Sequence, residues 1–340
     1  MPLPSLELPA PYLLFLGDLA EPGYAKTGLG LAEWASDRCV GELDFAGTVV
    51  TTGLPRMSAP EAVAAGARSV VIGVANPGGV IADSWVAPLV EAMAAGLDLV
   101  SGMHGRLADH PAIAAAAAQH GVKLHDVRVP PAGIPVGTGD KRSGRRLLTV
   151  GTDCALGKKY TALALARAFA ARGVPSDFRA TGQTGILIAG GGIPIDAVVS
   201  DFVSGAAELL SPAASADHWD VIEGQGSLFH PSYAAVTLGL IHGSQPDVIV
   251  LCHMPGRTTI LGRPGYPLPA LDVAIDAYLG AARLTNPAVR CAGISLNTAG
   301  LDDRAAADEI ARVADRYGLP AADPIRGGAA FDTLAEACLR

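Results

Sequence analysis

The run Gly151-Thr152-Asp153-Cys154-Ala155-Leu156-Gly157-Lys158-Lys159-Tyr160 carries the most explicit chemistry in this 340-residue chain. An apolar β-like run, Arg145–Val150, leads into it, and an Ala-rich amphipathic stretch follows it as far as Gly173. A strand entering a glycine turn and then a helix aims backbone N–H groups and the positive helix end at one spot, where a phosphate sits. Lys158, directly after Gly157, adds a point charge there. The spacing is G-x5-G-K-K, whereas a nucleotide-cleaving loop reads G-x4-G-K-[ST] and holds magnesium with that final hydroxyl. Lys159 takes the hydroxyl's place, and a second ammonium neutralises phosphate and repels a divalent cation. Thr161 stands roughly 200° further round the helix and cannot substitute for it. The loop therefore reads as a pyrophosphate cradle that need not cleave its ligand, and no metal ligand is assigned. Cys154 sits near a helix N-terminus and two lysines, which favours a thiolate. A small residue in a crowded turn accounts for it equally simply, and that is the preferred reading.

Three further constellations follow apolar runs. Trp219–Gly224 ends in Glu-Gly-Gln-Gly, so Glu223 emerges at a strand end as a magnesium ligand, a general base, or an acceptor for the N–H groups of its own turn. Arg179–Gly185, another polar glycine turn after a strand, is expected to line the same cleft. Leu251–Pro269 delivers His253, Arg257 and Arg263 to a carboxyl edge. An arginine fork binds a carboxylate bidentately, which suits Arg257 or Arg263 to an acidic small substrate. His253 is a proton acceptor at neutral pH, or else a structural residue. Asn297 closes the run Ala292–Thr298. His230 and His242 lie near these motifs without a spacing argument. The longer phosphate loop resembles that of the dethiobiotin synthetase and MinD-like branch of P-loop proteins. The Glu-Gly-x-Gly run resembles the second carboxylate motif of dethiobiotin synthetases, opposite the loop. By the same resemblance Asn297 presents its amide to a purine ring.

Positioning these residues requires strands that end together. The chain alternates short apolar runs with longer Ala-rich segments, the pattern of βαβ units and a mostly parallel sheet. In the first half the expected strands are 12–17, 48–52, 69–75, 97–102 and 122–127, with helices over 59–67, 84–95 and 111–120. In the second they are 145–150, 177–181, 219–224, 247–253 and 292–298, with a glycine turn opening a helix in 151–173 and helices over 195–210, 271–284 and 304–317. Val129–Arg146, rich in proline and glycine and ending in a basic run, reads as a linker. The expected architecture is α/β, a Rossmann-like domain over 1–130, a linker over 131–146 and a P-loop NTPase-like doubly wound domain over 147–340. No G-x-G-x-x-G follows the first strand, and Lys26–Trp34 is Gly-rich in a different spacing, so nicotinamide binding has little support. The loops Asn76–Ile81 and Gly102–Leu107 lie beyond strand ends, where open α/β sheets bind ligands. Gly78 and Gly79 are read as turn residues.

Composition narrows the partners. Half the chain is hydrophobic, 17% is charged and the net charge is −8, which argues for packed cores and against broad binding to nucleic acid or anionic membrane. No run approaches the roughly 18 apolar residues of a spanning helix. The first residues lack the basic start of a signal peptide, so a soluble, cytoplasmic protein is expected. Five dispersed cysteines form no C-x-x-C pair, which removes a disulfide framework and a zinc knuckle. A small-molecule substrate and assembly as a homo-oligomer are expected.

With GTDCALGKKYTA, EGQGSL, HMPGR and SLNTAG in one order behind a Rossmann-like half, the chain resembles the D-glutamate N-acetyltransferase family, formerly catalogued as a domain of unknown function. The resemblance spans essentially the whole chain, KTGLGL and MHGRL included, and the two-lysine loop is its most distinctive part. It implies transfer of acetyl from acetyl-CoA to the amine of a D-amino acid such as D-glutamate. Coenzyme A carries an adenosine and a pyrophosphate, so an anion loop and an adenine-facing Asn297 fit it without hydrolysis. Glu223 or His253 would then be the base. The competing reading is an ATP- and magnesium-dependent ligase or kinase-like enzyme, favoured by Glu223 and opposed by Lys159. A third is a nucleotide-dependent regulator, which the same substitution opposes.

Overall fold

A computed structural model describes residues 8–19, 21, 24–75 and 79–340. The first residues weighed for a leader, and Asn76–Gly78 of the loop after the third expected strand, lie outside the described residues. The chain divides into two compact units, 2–130 with 182–194, and 131–181 with 195–340. The segment 182–194 thus leaves the second half of the sequence to pack within the first unit.

The first unit alternates β1 (Tyr12–Phe15), α1 (Lys26–Trp34), β2 (Cys39–Leu43), β3 (Arg56–Met57), α2 (Ala59–Ala64), β4 (Ser69–Ile72), α3 (Asp83–Ala94), β5 (Asp98–Ser101), α4 (Pro111–His120) and β6 (Leu124–Asp126). Its strands are all parallel in the order β3-β2-β1-β4-β5-β6. That is the strand order of a Rossmann-like sheet. β1 and β4 are buried along their whole length because helices cover both faces.

The second unit contains β7 (Arg145–Gly151), α5 (Lys158–Ala171), β8 (Ser176–Arg179), α7 (Val203–Leu210), β9 (Trp219–Ile222), α8 (Ala234–Ser244) and β10 (Val248–His253). It continues through β11 (Thr259–Ile260), β12 (Arg263–Pro267), α9 (Leu271–Arg283), β13 (Arg290–Leu296), α10 (Asp303–Tyr317), β14 (Ala321–Ala322) and α11 (Gly328–Leu339). The remaining helix, α6 (Gln183–Ala189), belongs to the first unit. The main sheet is parallel in the order β14-β13-β10-β7-β9-β8, and β11 and β12 form a separate hairpin. β7 is central, so the loop after it lies between the ends of β9 and β10.

Several elements differ from expectation. Residues 48–52 form no strand, although their β-branched run favours one. Thr51 and Thr52 instead turn their hydroxyls onto the Glu42 carboxylate at 2.7 Å, and β2 takes the place beside β1. Lys26–Trp34 is helical despite two glycines. A Cβ at Gly28 would lie 2.5 Å from Leu16, so the glycine permits α1 to approach β1 and β4 closely. The helix expected over 195–210 is two short 3-10 turns followed by α7. The proline-rich segment before β7 has no helix or strand but is fastened to its unit. Glu208 accepts from the Thr138 and Gly139 amides at 2.9 Å, and Lys141 pairs with Asp247 at 2.8 Å.

Candidate functional site

The loop between β7 and α5 is held open by its own backbone. Ala155 (φ 51°) and Gly157 (φ 108°) both lie in the left-handed region, and this alternation turns successive N–H groups to one side. The first intrahelical bond of α5 runs from Thr161 N–H to Gly157 O at 2.9 Å, so the amides of Lys158, Lys159 and Tyr160 point out of the helix end. Leu156 is buried beneath the turn.

Lys158 is buried, and its ammonium donates to Asp153 O at 2.8 Å. Burial pushes its pKa down, against the opposing influence of Cys154, Cys252, Asp153 and Glu223. An anion in the loop would supply the counter-charge this ammonium needs. Lys159 places its ammonium 4.3 Å from the centre of the Tyr160 ring. The Thr161 hydroxyl faces inward, to Gly157 O at 3.1 Å and Ser295 Oγ at 2.8 Å, as its position on the helix requires.

Asp153 organises the loop. Its fully buried carboxylate accepts from Cys154 N–H at 2.6 Å, from Leu261 N–H at 2.8 Å and from Arg257 Nη1 at 3.0 Å. Arg257 donates also to Cys154 O at 2.9 Å. The guanidinium expected to hold a substrate carboxylate is thus committed to the loop. Arg263 lies on β12, whose residues are all exposed, and donates to Gly262 O at 2.9 Å.

The neighbouring strand ends converge on the loop. His253, last residue of β10, shares a 3.0 Å hydrogen bond through Nδ1 with the Thr152 hydroxyl. Burial lowers its pKa, Arg257 and Arg312 add to that effect, and Glu309 opposes it, so neutral imidazole is favoured near pH 7. Asn297, beyond β13, donates its backbone N–H to His253 O at 2.8 Å and accepts from Ala299 N–H through Oδ1 at 3.2 Å. On the other side Glu223, beyond β9, is buried and accepts from Thr181 N–H at 2.9 Å. Gly224 must be glycine, since a Cβ there would stand 1.7 Å from Thr149 O. Its N–H donates to the Thr149 hydroxyl, which in turn donates to Lys158 O. Of Arg179–Gly185, Thr181 meets Glu223, its hydroxyl donating to Glu223 O at 2.7 Å. Arg179 instead pairs with Asp220 at 2.6 Å and Asp177 at 2.9 Å.

Two residues at the site carried no spacing argument in the sequence. Tyr278, on α9, donates to Gly151 O at 2.7 Å and accepts from Leu228 N–H at 3.1 Å. Burial pushes its pKa up to about 12, so it stays a phenol and locks the end of β7 to the turn after β9. His230 is buried and accepts from Ser232 N–H through Nδ1. Ligand-type atoms of Asp153, Cys154 and His230 lie within 4.8 Å of one another. The Asp153 carboxylate in that group is already shared by two amides and a guanidinium. A buried tyrosine on a distant helix gives no pattern, and the histidine after Glu-Gly-x-Gly was visible only as proximity.

Known proteins share the two-domain architecture. Residues 135–332 match the family described as "Domain of unknown function (DUF1611_C) P-loop domain", and residues 43–130 match "Domain of unknown function (DUF1611_N) Rossmann-like domain". A curated D-glutamate N-acetyltransferase of Tritonibacter scottomollicae is 50% identical over 319 residues, covering 94% of this chain and 96% of the relative. Another, of a Pseudoalteromonas species, is 45% identical over 323 residues, covering 95% and 97%. The crystal structure of a DUF1611 family protein from Anabaena variabilis superposes with a TM-score of 0.84 at 37% identity, covering 96% of this chain and 98% of that one. No helix among the described residues is long and apolar enough to cross a membrane.

Proposed function

The chain belongs to the DUF1611 family, whose curated relatives are D-glutamate N-acetyltransferases, and from that premise we propose that it moves acetyl from acetyl-CoA to the amine of D-glutamate. In this reading the coenzyme phosphates sit in the loop Gly151–Tyr160. The carrying observation is the loop itself, with outward amides, a buried Lys158 ammonium, and Lys159 at the position where a nucleotide-cleaving loop has its magnesium hydroxyl. Such a cradle favours a phosphate ligand that stays intact.

Acetyl transfer asks for a base to take a proton from the substrate ammonium, and for donors to the oxyanion formed when the amine attacks the thioester carbonyl. The tetrahedral adduct then collapses to the amide, and the coenzyme thiolate leaves and takes up a proton. His253 suits the first task. When its Nδ1–H donates to Thr152 Oγ1, Nε2 carries the lone pair that accepts the proton. Glu223 is the other candidate, and its buried charge also balances Lys158. Arg257 fastens Asp153, which leaves Arg263 as the arginine of this unit proposed for an acceptor carboxylate.

Titration calorimetry with coenzyme A tests the placement. Lys158→Ala should weaken binding by about 1.5–3 kcal/mol, the value of one charge-assisted hydrogen bond. Unchanged affinity in the folded variant would remove the coenzyme from this loop.

A further inference from the structure

The turn that follows Glu223 is braced from several sides, all within the second unit. Gly226 is left-handed at φ 64°, and a Cβ on it would lie 2.5 Å from both Tyr233 O and the Thr237 hydroxyl of α8. That hydroxyl donates to Gln225 O at 2.7 Å. Ser227 Oγ donates to Gly151 O at 2.9 Å, and the Tyr278 phenol accepts from Leu228 N–H. The turn is thereby tied to the first residue of the phosphate cradle, and the backbone of Gln225 is held in place.

The Gln225 side chain is fixed as well, down to the direction of each hydrogen bond. A threonine hydroxyl has one proton, and that of Thr181 goes to Glu223 O at 2.7 Å. Towards Gln225 the same oxygen can only accept, so the amide turns Nε2 to it at 3.1 Å. Oε1 therefore faces away from Thr181 as an acceptor, and it has no protein partner among the described residues. Gln225 is half-buried, which leaves this oxygen within reach of a ligand at the carboxyl edge of the sheet. The backbone amide of the same Thr181 donates to the Glu223 carboxylate at 2.9 Å, so Gln225 and that candidate base are positioned by one residue.

The backbone donors of this corner are already committed. Thr181 N–H serves Glu223, and Gly224 N–H serves the Thr149 hydroxyl at 3.0 Å. A carboxylate arriving at Oε1 would meet another oxygen, whereas an ammonium would meet a lone pair.

We infer that Gln225 holds the amine of the acceptor amino acid through Oε1, an inference that rests on the acetyl-transfer reading above. An ammonium has three N–H donors, and the amide oxygen takes one of them. When the base removes one of the other protons, the amine still donates to Oε1 and its lone pair is left for the acetyl carbonyl. No proton passes to or from Gln225. Its part is to fix the nitrogen before attack, which removes orientational freedom from a two-substrate step.

Two variants and an analogue without nitrogen test it in the full chain. Gln225→Met keeps the length and removes the oxygen. Gln225→Glu keeps an acceptor oxygen but gives up the N–H that meets Thr181. Glutarate has the carboxylates of glutamate and no amine. In calorimetry with coenzyme A present, Gln225→Met should bind D-glutamate about tenfold or more weakly, the size of one charge-assisted hydrogen bond, and glutarate as wild type does. Gln225→Glu should keep wild-type affinity for D-glutamate, and coenzyme A affinity should be unchanged in both. Equal loss of D-glutamate binding in the two variants would show that Gln225 only braces Thr181, and would overturn the inference. So would unchanged D-glutamate binding in Gln225→Met, or glutarate affinity falling alongside it. If wild type transfers no acetyl from acetyl-CoA to D-glutamate, the acetyl-transfer reading falls instead. The binding comparison then still decides the role of Gln225, and wild type binding no D-glutamate would overturn that role as well.

Discussion

At the residue scale, burial sets how the candidate groups behave. His253 has its pKa lowered from the ordinary 6.5 chiefly by burial. As the base it would keep kcat/KM flat as pH falls through 6.5, and the acid limb would appear only below that. His253→Asn should lower kcat by about 10²–10⁴-fold and abolish the limb, which a pH–rate profile reads directly. A limb that survives in the variant would move the role to Glu223. Stability follows the same sign. Below 6.5 the unfolded chain binds a proton that the folded imidazole resists, so this group costs stability as pH falls from 6.5 to its folded pKa. The variant should therefore lose less stability than wild type between pH 7 and that limb, measured by urea unfolding. Arg257 belongs to the same scale. Its Nη1 serves both Asp153 and Cys154 O, so Arg257→Lys should weaken coenzyme A binding more than it changes D-glutamate KM. The reverse pattern would restore Arg257 as an acceptor ligand.

At the scale of elements, close approaches make the site. Gly224→Ala places a methyl where Thr149 O stands, and relief requires β9 to part from β7. We expect a loss of about 1–3 kcal/mol in urea unfolding together with loss of activity, because Glu223 moves with that strand end. Wild-type stability and turnover would show that the strands can part without cost. Much of this framework was legible in the sequence. The runs 145–150, 219–224 and 247–253 each lead a chemical residue out of an apolar strand, and all three became parallel strands ending at the loop. Less legible were elements whose local preferences are overruled by packing. Cys39–Leu43 has a glycine and a glutamate inside it, yet pairs with β1, while the β-branched 48–52 is recruited by Glu42. Gln183–Ala189 reads as a continuation of a polar turn, and only its tertiary partner Thr27 shows that it folds as a helix within the first unit. Arg257 was visible as a cation beside the loop, but its acid, Asp153, is 104 positions earlier in the chain, where no spacing argument reaches.

At the scale of the molecule, the chain joins a Rossmann-like unit to a P-loop unit whose loop carries Lys159 where a nucleotide-cleaving loop has its magnesium hydroxyl. The central claim is that the loop holds coenzyme phosphates that remain intact through acetyl transfer. The most direct test is turnover of acetyl-CoA with D-glutamate by the full chain in excess EDTA, run beside ATP with magnesium. Lys159 in place of the hydroxyl predicts N-acetyl-D-glutamate and free coenzyme A at an undiminished rate in the chelator, with no phosphate released from ATP. Acetyl transfer lost in EDTA and restored by magnesium, or magnesium-dependent ATP cleavage coupled to D-glutamate, would contradict it.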